Sequence, residues 1–366
     1  MPRRYLAPWQ RRAGETQSGG AGGGAEQIAA AEAALQGLAG RPALYHCVSR
    51  VVDRQFLLGS VEKEHFVELM RAYEAFCEVR ILAFAVLSNH FHLLVEVPEA
   101  PPERGRDWSD SRFLEHLATL YTRREVGKVR WRLEQFRGLG ADAEAEALRE
   151  SYLRRLWDLS AFMKGLKQRF SRWFNARHAR HGTLWEERFK SVLVQDGHAA
   201  RTVAAYIELN AVRAGILADP RHYRWCSYGE AAAGNPRARA AIQRLLSEAP
   251  LQPGGARSAS PKPPGWRRAG PRYRSLLEAA LGARATPPPN PQGASAPPAL
   301  SEARALNGRV RHFLDGLVLG SESFVQDLFV ITRERFGPHR RDGPRPLRGI
   351  QSSLRAMRDL RKTPTA

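Results

Sequence analysis

The chain has 366 residues, with 57 Lys and Arg against 37 Asp and Glu, for a formal charge of +20. That length holds a well-cored domain plus appendages, and the charge exceeds what solubility requires, so a polyanionic partner is expected and nucleic acid is the natural one. No apolar run is long enough to span a bilayer, and Ile81 to Leu87, the strongest short one, is strand length, which argues against a membrane partner.

Residues 1–41 mix basic residues with the run Ser18-Gly-Gly-Ala-Gly-Gly-Gly24 and a short Ala-rich helical pattern from Glu26 to Leu38, a composition that predicts disorder with at most a transient helix. Ala43 to Arg50 reads as a first strand. Phe66, Leu69, Met70, Tyr73 and Phe76 recur at helical spacing within Val61–Phe76, predicting an amphipathic helix. A second strand runs from Arg80 to Leu87, Ser88-Asn89 is a turn signal, and His90 to Val97 returns as a third strand. This is the start of an α+β sandwich. Residues 98–156 read as a loop and an inserted helical hairpin. A helix from Leu159 to His181, a strand from Arg188 to Gln195 and a helix capped by Asp196 and ending at Gly215 complete a unit spanning 42–233. Residues 234–300 read as a Pro/Gly-rich linker region with short helical pieces, and 301–366 as a small helical module with a basic tail, its two helices divided at Gly320 and Ser321.

Two features carry chemistry. On the third strand, side chains alternate, so His90, His92, Leu94 and Glu96 share one face while Phe91, Leu93, Val95 and Val97 fill the other, which is expected to be the buried one. Two imidazoles on one face can hold one metal ion; alone, such a pair is more often two histidines on the wetter face of a half-buried strand. In the helix after Asp196, Tyr206 and Asn210 lie four residues apart and share a face. A phenol beside a metal-held phosphodiester can act as nucleophile. A structural tyrosine with one polar neighbour is the commoner meaning of such a pair. Lys164, Lys167, Arg169, Arg172, Arg177 and Arg180, interleaved with Phe170, Trp173 and Phe174 and followed by Trp185, Arg188 and Lys190, can grip phosphates and stack bases, although such aromatics are more often core. Cys47, Cys77 and Cys226 form neither a disulfide framework nor a Cys-x-x-Cys zinc signature, and the N-terminus lacks the apolar stretch of a secretory signal, so a reducing cytoplasm is expected.

In this order, Tyr45-His-Cys-Val-Ser-Arg50, Asn89-His-Phe-His-Leu-Leu-Val95, Gly182-Thr-Leu-Trp-Glu-Glu-Arg-Phe-Lys190 and Tyr206-Ile-Glu-Leu-Asn210 resemble the REP-associated tyrosine transposases, which belong to the single-tyrosine His-hydrophobe-His transposases. The resemblance covers 43–229, interrupted by the insertion. It implies a ferredoxin-like (RRM-like) antiparallel sheet with packed helices in a bacterial cytoplasm, carrying Mg²⁺ or Mn²⁺ on His90, His92 and Asn210. It implies that Tyr206 attacks single-stranded DNA beside a hairpin of a palindromic repeat, leaving a 5′-phosphotyrosine and a free 3′-hydroxyl. Related enzymes include dimers with exchanged tyrosine helices and forms that act alone, so a homodimer stays open. The family usually has Pro after the helix Asn; Ala211 stands here and should let the helix run on. Two rivals remain: a repeat-binding or regulatory protein that does not cut, and a replication-initiator or relaxase relative, whose order of blocks fits less well. Tyr121, Tyr152, Tyr223 and Tyr228 are rival nucleophiles without a matching Asn.

Overall fold

Alternation and helical spacing already place the central elements, and the computed structural model places them close to those limits. It describes residues 7, 25–247, 265–285, 300–306, 308, 310, 312–333, 336 and 339–358. The Gly-rich run and the Pro/Gly-rich stretches 248–264 and 286–299 lie outside the described residues.

The chain enters through α1 (Ala25–Leu38) and β1 (Ala43–Arg50). Next come α2 (Ser60–Phe76), β2 (Arg80–Val86) and β3 (His90–Val97). The Ser88-Asn89 turn is closed by Leu87 N–H donating to the His90 carbonyl at 2.8 Å. The insertion folds as three helices, α3 (Asp110–Leu117), α4 (Arg123–Gly138) and α5 (Asp142–Leu153), one more than a hairpin. Ser109 and Thr122 accept backbone N–H bonds at the first turns of α3 and α4, so each of these helices has its own start signal. Then follow α6 (Leu159–Arg177) and β4 (Lys190–Val194).

The expected Asp196–Gly215 helix forms as α7 (His198–Glu208) and α8 (Asn210–Arg213). Its N-cap is Gly197 at φ 70°, not Asp196, because the chain turns there through a left-handed conformation that glycine adopts freely. The irregularity at Leu209 coincides with Arg213 Nη2 donating to the Tyr206 carbonyl at 2.8 Å, a side chain competing for a ladder acceptor. With Ala211 in place of Pro, the helix continues to Arg213.

The linker reading of 234–300 needs correction. After α9 (Ser227–Ala232), α10 (Pro236–Leu245) packs on β2 and α11 (Trp266–Ala285) packs on α10, through Ala238, Ile242, Leu245, Tyr273 and Leu277 of one apolar cluster. Their apolar residues stand at 3–4-residue spacing, which outweighs the flanking Pro and Gly. The C-terminal segment is not a separate helical module either. After β5 (Leu300–Ser301), α12 (Glu302–Ala305) and α13 (His312–Asp315), β6 (Val318–Gly320) pairs in parallel with β4. Beyond α14 (Glu322–Ile331) come β7 (Arg345–Pro346), β8 (Ile350–Gln351) and β9 (Arg355–Met357). Val318-Leu-Gly is too short to show a period, and the open edge of β4 supplies the pairing that makes it a strand.

The result is a mixed α/β protein around a seven-stranded, mostly antiparallel sheet of order β2-β3-β1-β4-β6-β9-β7. One face carries Tyr45, Phe91, Leu93 and Val95 against α2, α6 and the insertion. The other carries Leu44, Val48, Leu94 and Val192 against α7 and α9–α13. Both faces of β3 are therefore covered, the histidine face by the helices beyond residue 196, and within the strand only His90 stays half-buried. Among the described residues no helix is long and apolar enough to cross a membrane.

Candidate active site

Antiparallel pairing sets Val48 opposite His92 and Arg50 opposite His90, which puts His46 diagonally beside His92 on the same face. The ring centroids of His90 and His92 are 5.1 Å apart at an interplanar angle of 79°, and those of His46 and His92 are 5.2 Å apart and stacked. Tyr206 of α7 reaches over the sheet to 6.0 Å from His92 and 6.2 Å from His46, edge-on to both. Tyr206 and His92 are each 3 % exposed, and Asn210 is 7 % exposed.

The hydrogen bonds assign the ring protons. A backbone carbonyl only accepts, so His46 Nδ1–H donates to the Phe313 carbonyl at 2.7 Å. His46 Nε2 then carries the lone pair and accepts from His92 Nδ1–H at 2.9 Å, which leaves the lone pair of His92 on Nε2. On the neighbouring position, Asn89 Nδ2 donates to the Arg54 carbonyl at 3.1 Å, turning its Oδ1 towards His90 Nδ1–H at 2.6 Å. In its neutral form His90 thus also carries its lone pair on Nε2. Burial lowers the His46 imidazolium to about 4 and holds His92 well below the usual histidine range, with His46, His90, Arg213 and Arg50 adding to the effect on His92. Both rings are neutral at pH 7.

These residues fit a divalent ion on three counts. A metal–imidazole bond of about 2.1 Å puts two rings sharing an ion roughly 5 Å apart between centroids, as His90 and His92 are. Each has its Nδ1 bound to an outer partner, His46 for His92 and Asn89 for His90, the usual second-sphere arrangement of metal-binding histidines. The buried amide nitrogen of Asn210 has no hydrogen-bond partner; with the amide turned over, a hard oxygen would stand there. Among the described residues no group of three His, Cys, Asp or Glu side chains is arranged to hold an ion. Glu96, on the same strand face, is engaged by Arg80 and Arg244.

Four residues at this site are given no role by the sequence alone. Besides His46, Arg213 holds its guanidinium 3.9 Å from the Tyr206 ring centre, with its pKa lowered by burial to about 10, and donates to the Leu306 carbonyl at 2.8 Å. Phe313 packs its ring against Tyr206 at 5.1 Å and closes the site from the C-terminal segment. Glu302 anchors that segment to α7 through Thr202 and His198. Only a cross-strand register and a chain return of more than a hundred residues bring these groups together.

The rival tyrosines are engaged elsewhere. Tyr223 donates to the Val86 carbonyl at 2.7 Å, Tyr121 and Tyr152 belong to the insertion side, and Tyr228 packs on Tyr273. The expected DNA-binding cations divide into groups. Lys164, Arg169 and Arg172 line a cleft on the opposite face from His92. Lys167 is buried, its ammonium on the Glu187 carbonyl at 2.9 Å and over the Trp185 ring. Arg177 lies 3.6 Å from Glu62, and Arg180 donates its backbone N–H to the Asn175 carbonyl. Arg188 and Lys190 border a small recess with Arg50, beside His90. Phe170, Phe174 and Trp185 are core, and Trp173 is half-buried.

Behind Tyr206, a buried carboxyl fixes the helix. Glu208 accepts from Ser227 Oγ at 2.5 Å, Tyr228 N–H at 3.1 Å and the Tyr273 hydroxyl at 3.3 Å, and burial raises its pKa from 4.5 to about 7. The folded state holds this proton after the unfolded chain has lost it, so stability is greatest below about pH 4.5 and falls as pH rises to about 7. Glu208→Gln should flatten that slope, which spans on the order of 3 kcal/mol, in thermal melts across this range. An unchanged slope would assign the pH dependence to other groups.

Comparison with protein-family models and with curated proteins returned no match. Among solved structures the chain is similar to "Structure of the REP associates tyrosine transposase bound to a REP hairpin", at 12% identity over 53% of this chain and 81% of that chain, with a TM-score of 0.34. A superposition that loose carries no inference about fold or function.

Proposed function

We propose that residues 42–233, with 98–156 as an insertion, form a metal-dependent DNA strand transferase that cuts and rejoins single-stranded DNA at hairpin-forming palindromic repeats. The sheet reading is ferredoxin-like, supported by the strand-helix-strand-strand-helix-strand order and the neighbours β2-β3-β1-β4. The observation that carries the function is the placing of two histidines and a tyrosine over one sheet face, with ring centroids 5.1 Å apart for His90 and His92 and 6.0 Å apart for His92 and Tyr206. His90, His92 and Asn210 would hold Mg²⁺ or Mn²⁺, which when bound supplies Lewis-acid polarisation of the scissile phosphate. Tyr206 Oη attacks phosphorus, the bond to the 3′-oxygen breaks, and the 5′-phosphate becomes a tyrosine ester while the released 3′-oxygen takes a proton. Reversal rejoins strands with no outside energy source. Arg213, over the phenol ring, stabilises negative charge on the nucleophile. Arg50, Arg188 and Lys190 hold neighbouring phosphates.

The test is a hairpin oligonucleotide incubated with the full chain and Mn²⁺ or Mg²⁺. The strand labelled at its 3′ end should run with the protein on a denaturing gel, and the 5′-labelled fragment should be released with a 3′-hydroxyl. Protein-bound 5′ label would refute the proposed polarity. One observation favours a second reading, a repeat-binding protein that does not cut: Phe313 covers a nearly inaccessible Tyr206. Tight hairpin binding without covalent product under either metal would establish that reading.

A further inference from the structure

The insertion and α6 enclose a cleft of about 1030 Å³ on the sheet face opposite the histidines: Tyr45 of β1 lines it, while the next residue, His46, points to His92. Arg155, Lys164, Arg169 and Arg172 face this cleft, together with Trp157 and Trp173. Among the described residues none of these four cations forms an ion pair with a carboxylate. Two acids also line the cleft, and both are committed to helix starts. Glu125 accepts from Thr122 N–H at 2.8 Å, and Asp158 accepts from Ala161 N–H at 2.8 Å. With Arg104 and Arg154, six cations line the cleft against these two carboxylates, and the net positive charge favours an anionic ligand.

The walls are held in place by constrained backbone and close packing as well. Trp157 sits at φ 53°, a left-handed conformation that a bulky side chain adopts only under constraint, with its N–H held by the Cys77 carbonyl at 2.8 Å. Arg104, at φ 48°, lines the same cleft. A Cβ on Gly165 would come within 2.4 Å of the Tyr73 ring, so this glycine lets an aromatic wall close in. Arg155 donates to the Tyr121 hydroxyl and stacks over Phe76, which fixes its guanidinium at the edge.

We propose that this cleft is a second nucleic-acid site that holds an unpaired DNA segment, with phosphates on Lys164, Arg169 and Arg172 and bases against Trp157 and Trp173. Cations alternating with half-buried aromatics suit unstacked nucleotides, and the volume lies at the upper end for a single enclosed small ligand. The site goes beyond the strand-transfer reading, since it needs neither the metal nor Tyr206.

The experiment therefore uses the full-length Tyr206→Phe chain without divalent metal and a labelled oligothymidylate of about twelve nucleotides that cannot form a hairpin. Anisotropy is read against salt concentration. Lys164→Gln with Arg172→Gln should weaken binding about tenfold and make the salt slope shallower by about 1.4, two phosphates at about 0.7 each. Trp173→Leu should weaken binding about fivefold or more with little change in slope. Thermal melts confirm that each variant is folded. Unchanged affinity and slope would overturn the assignment. So would an equal loss from Arg267→Gln with Arg268→Gln, two exposed arginines of α11 away from the cleft, because diffuse charge would then suffice. If dTMP displaces the oligonucleotide at equal concentration, the cleft binds free nucleotides and the strand assignment fails.

Discussion

Tyr206→Phe is expected to abolish covalent capture of a hairpin oligonucleotide, a loss of at least about 10³-fold, while leaving fold and DNA affinity in place. The substitution removes one oxygen and keeps the ring that packs against His92, His46 and Phe313 and lies under Arg213. The cost in stability should stay within about 1 kcal/mol, the scale of one net hydrogen bond. A denaturing gel with the 3′-labelled strand measures the chemistry, and anisotropy measures binding. Adduct surviving in the variant would move the nucleophile to another residue, and peptide mapping of the labelled site would locate it.

The second large effect is at the histidines. His92→Ala should remove metal-stimulated cleavage at every Mn²⁺ concentration, because it deletes a ligand. His46→Phe should behave differently. It keeps a flat apolar ring in the β1 position but leaves His92 Nδ1–H, buried, without its acceptor. An orphaned donor of this kind costs about 1–3 kcal/mol and frees the imidazole to turn. The Mn²⁺ midpoint for cleavage should rise by 10–100-fold and activity should return at saturating metal, as for loss of an outer partner of a ligand. Full activity in His92→Ala would refute the proposed metal site. An unchanged midpoint in His46→Phe would show that His46 only packs.

Much of the frame was legible before any coordinates. β1 has the limits read from Ala43-Leu-Tyr-His-Cys-Val-Ser-Arg50, and α2 starts one residue before the periodic stretch. Where the reading failed, the local signal was weak or pointed elsewhere. Asp196 looks like an N-cap, yet Gly197 can take the positive φ that the turn into α7 demands. Val318-Leu-Gly became a strand because β4 offered an unpaired edge. The polar His90, His92 and Glu96 point to a wet face; Arg80 and Arg244 pair with Glu96, and His46 and His92 bond to one another on that face, so it could be covered.

The sequence by itself determined the periodicities. Two histidines fall on one strand face, a tyrosine and an asparagine stand one helical turn apart, and cations alternate with aromatics along α6, since spacing along a helix or strand is a property of the local chain. Tertiary structure decided the rest. The protons on His46 and His92 depend on a carbonyl 267 residues away from His46, and the burial of Tyr206 depends on the same segment. The pairing of the α6 cations with the aromatics of the insertion in one cleft depends on how two helical layers meet. Such contacts follow from strand register and packing of distant elements, and no local pattern encodes them.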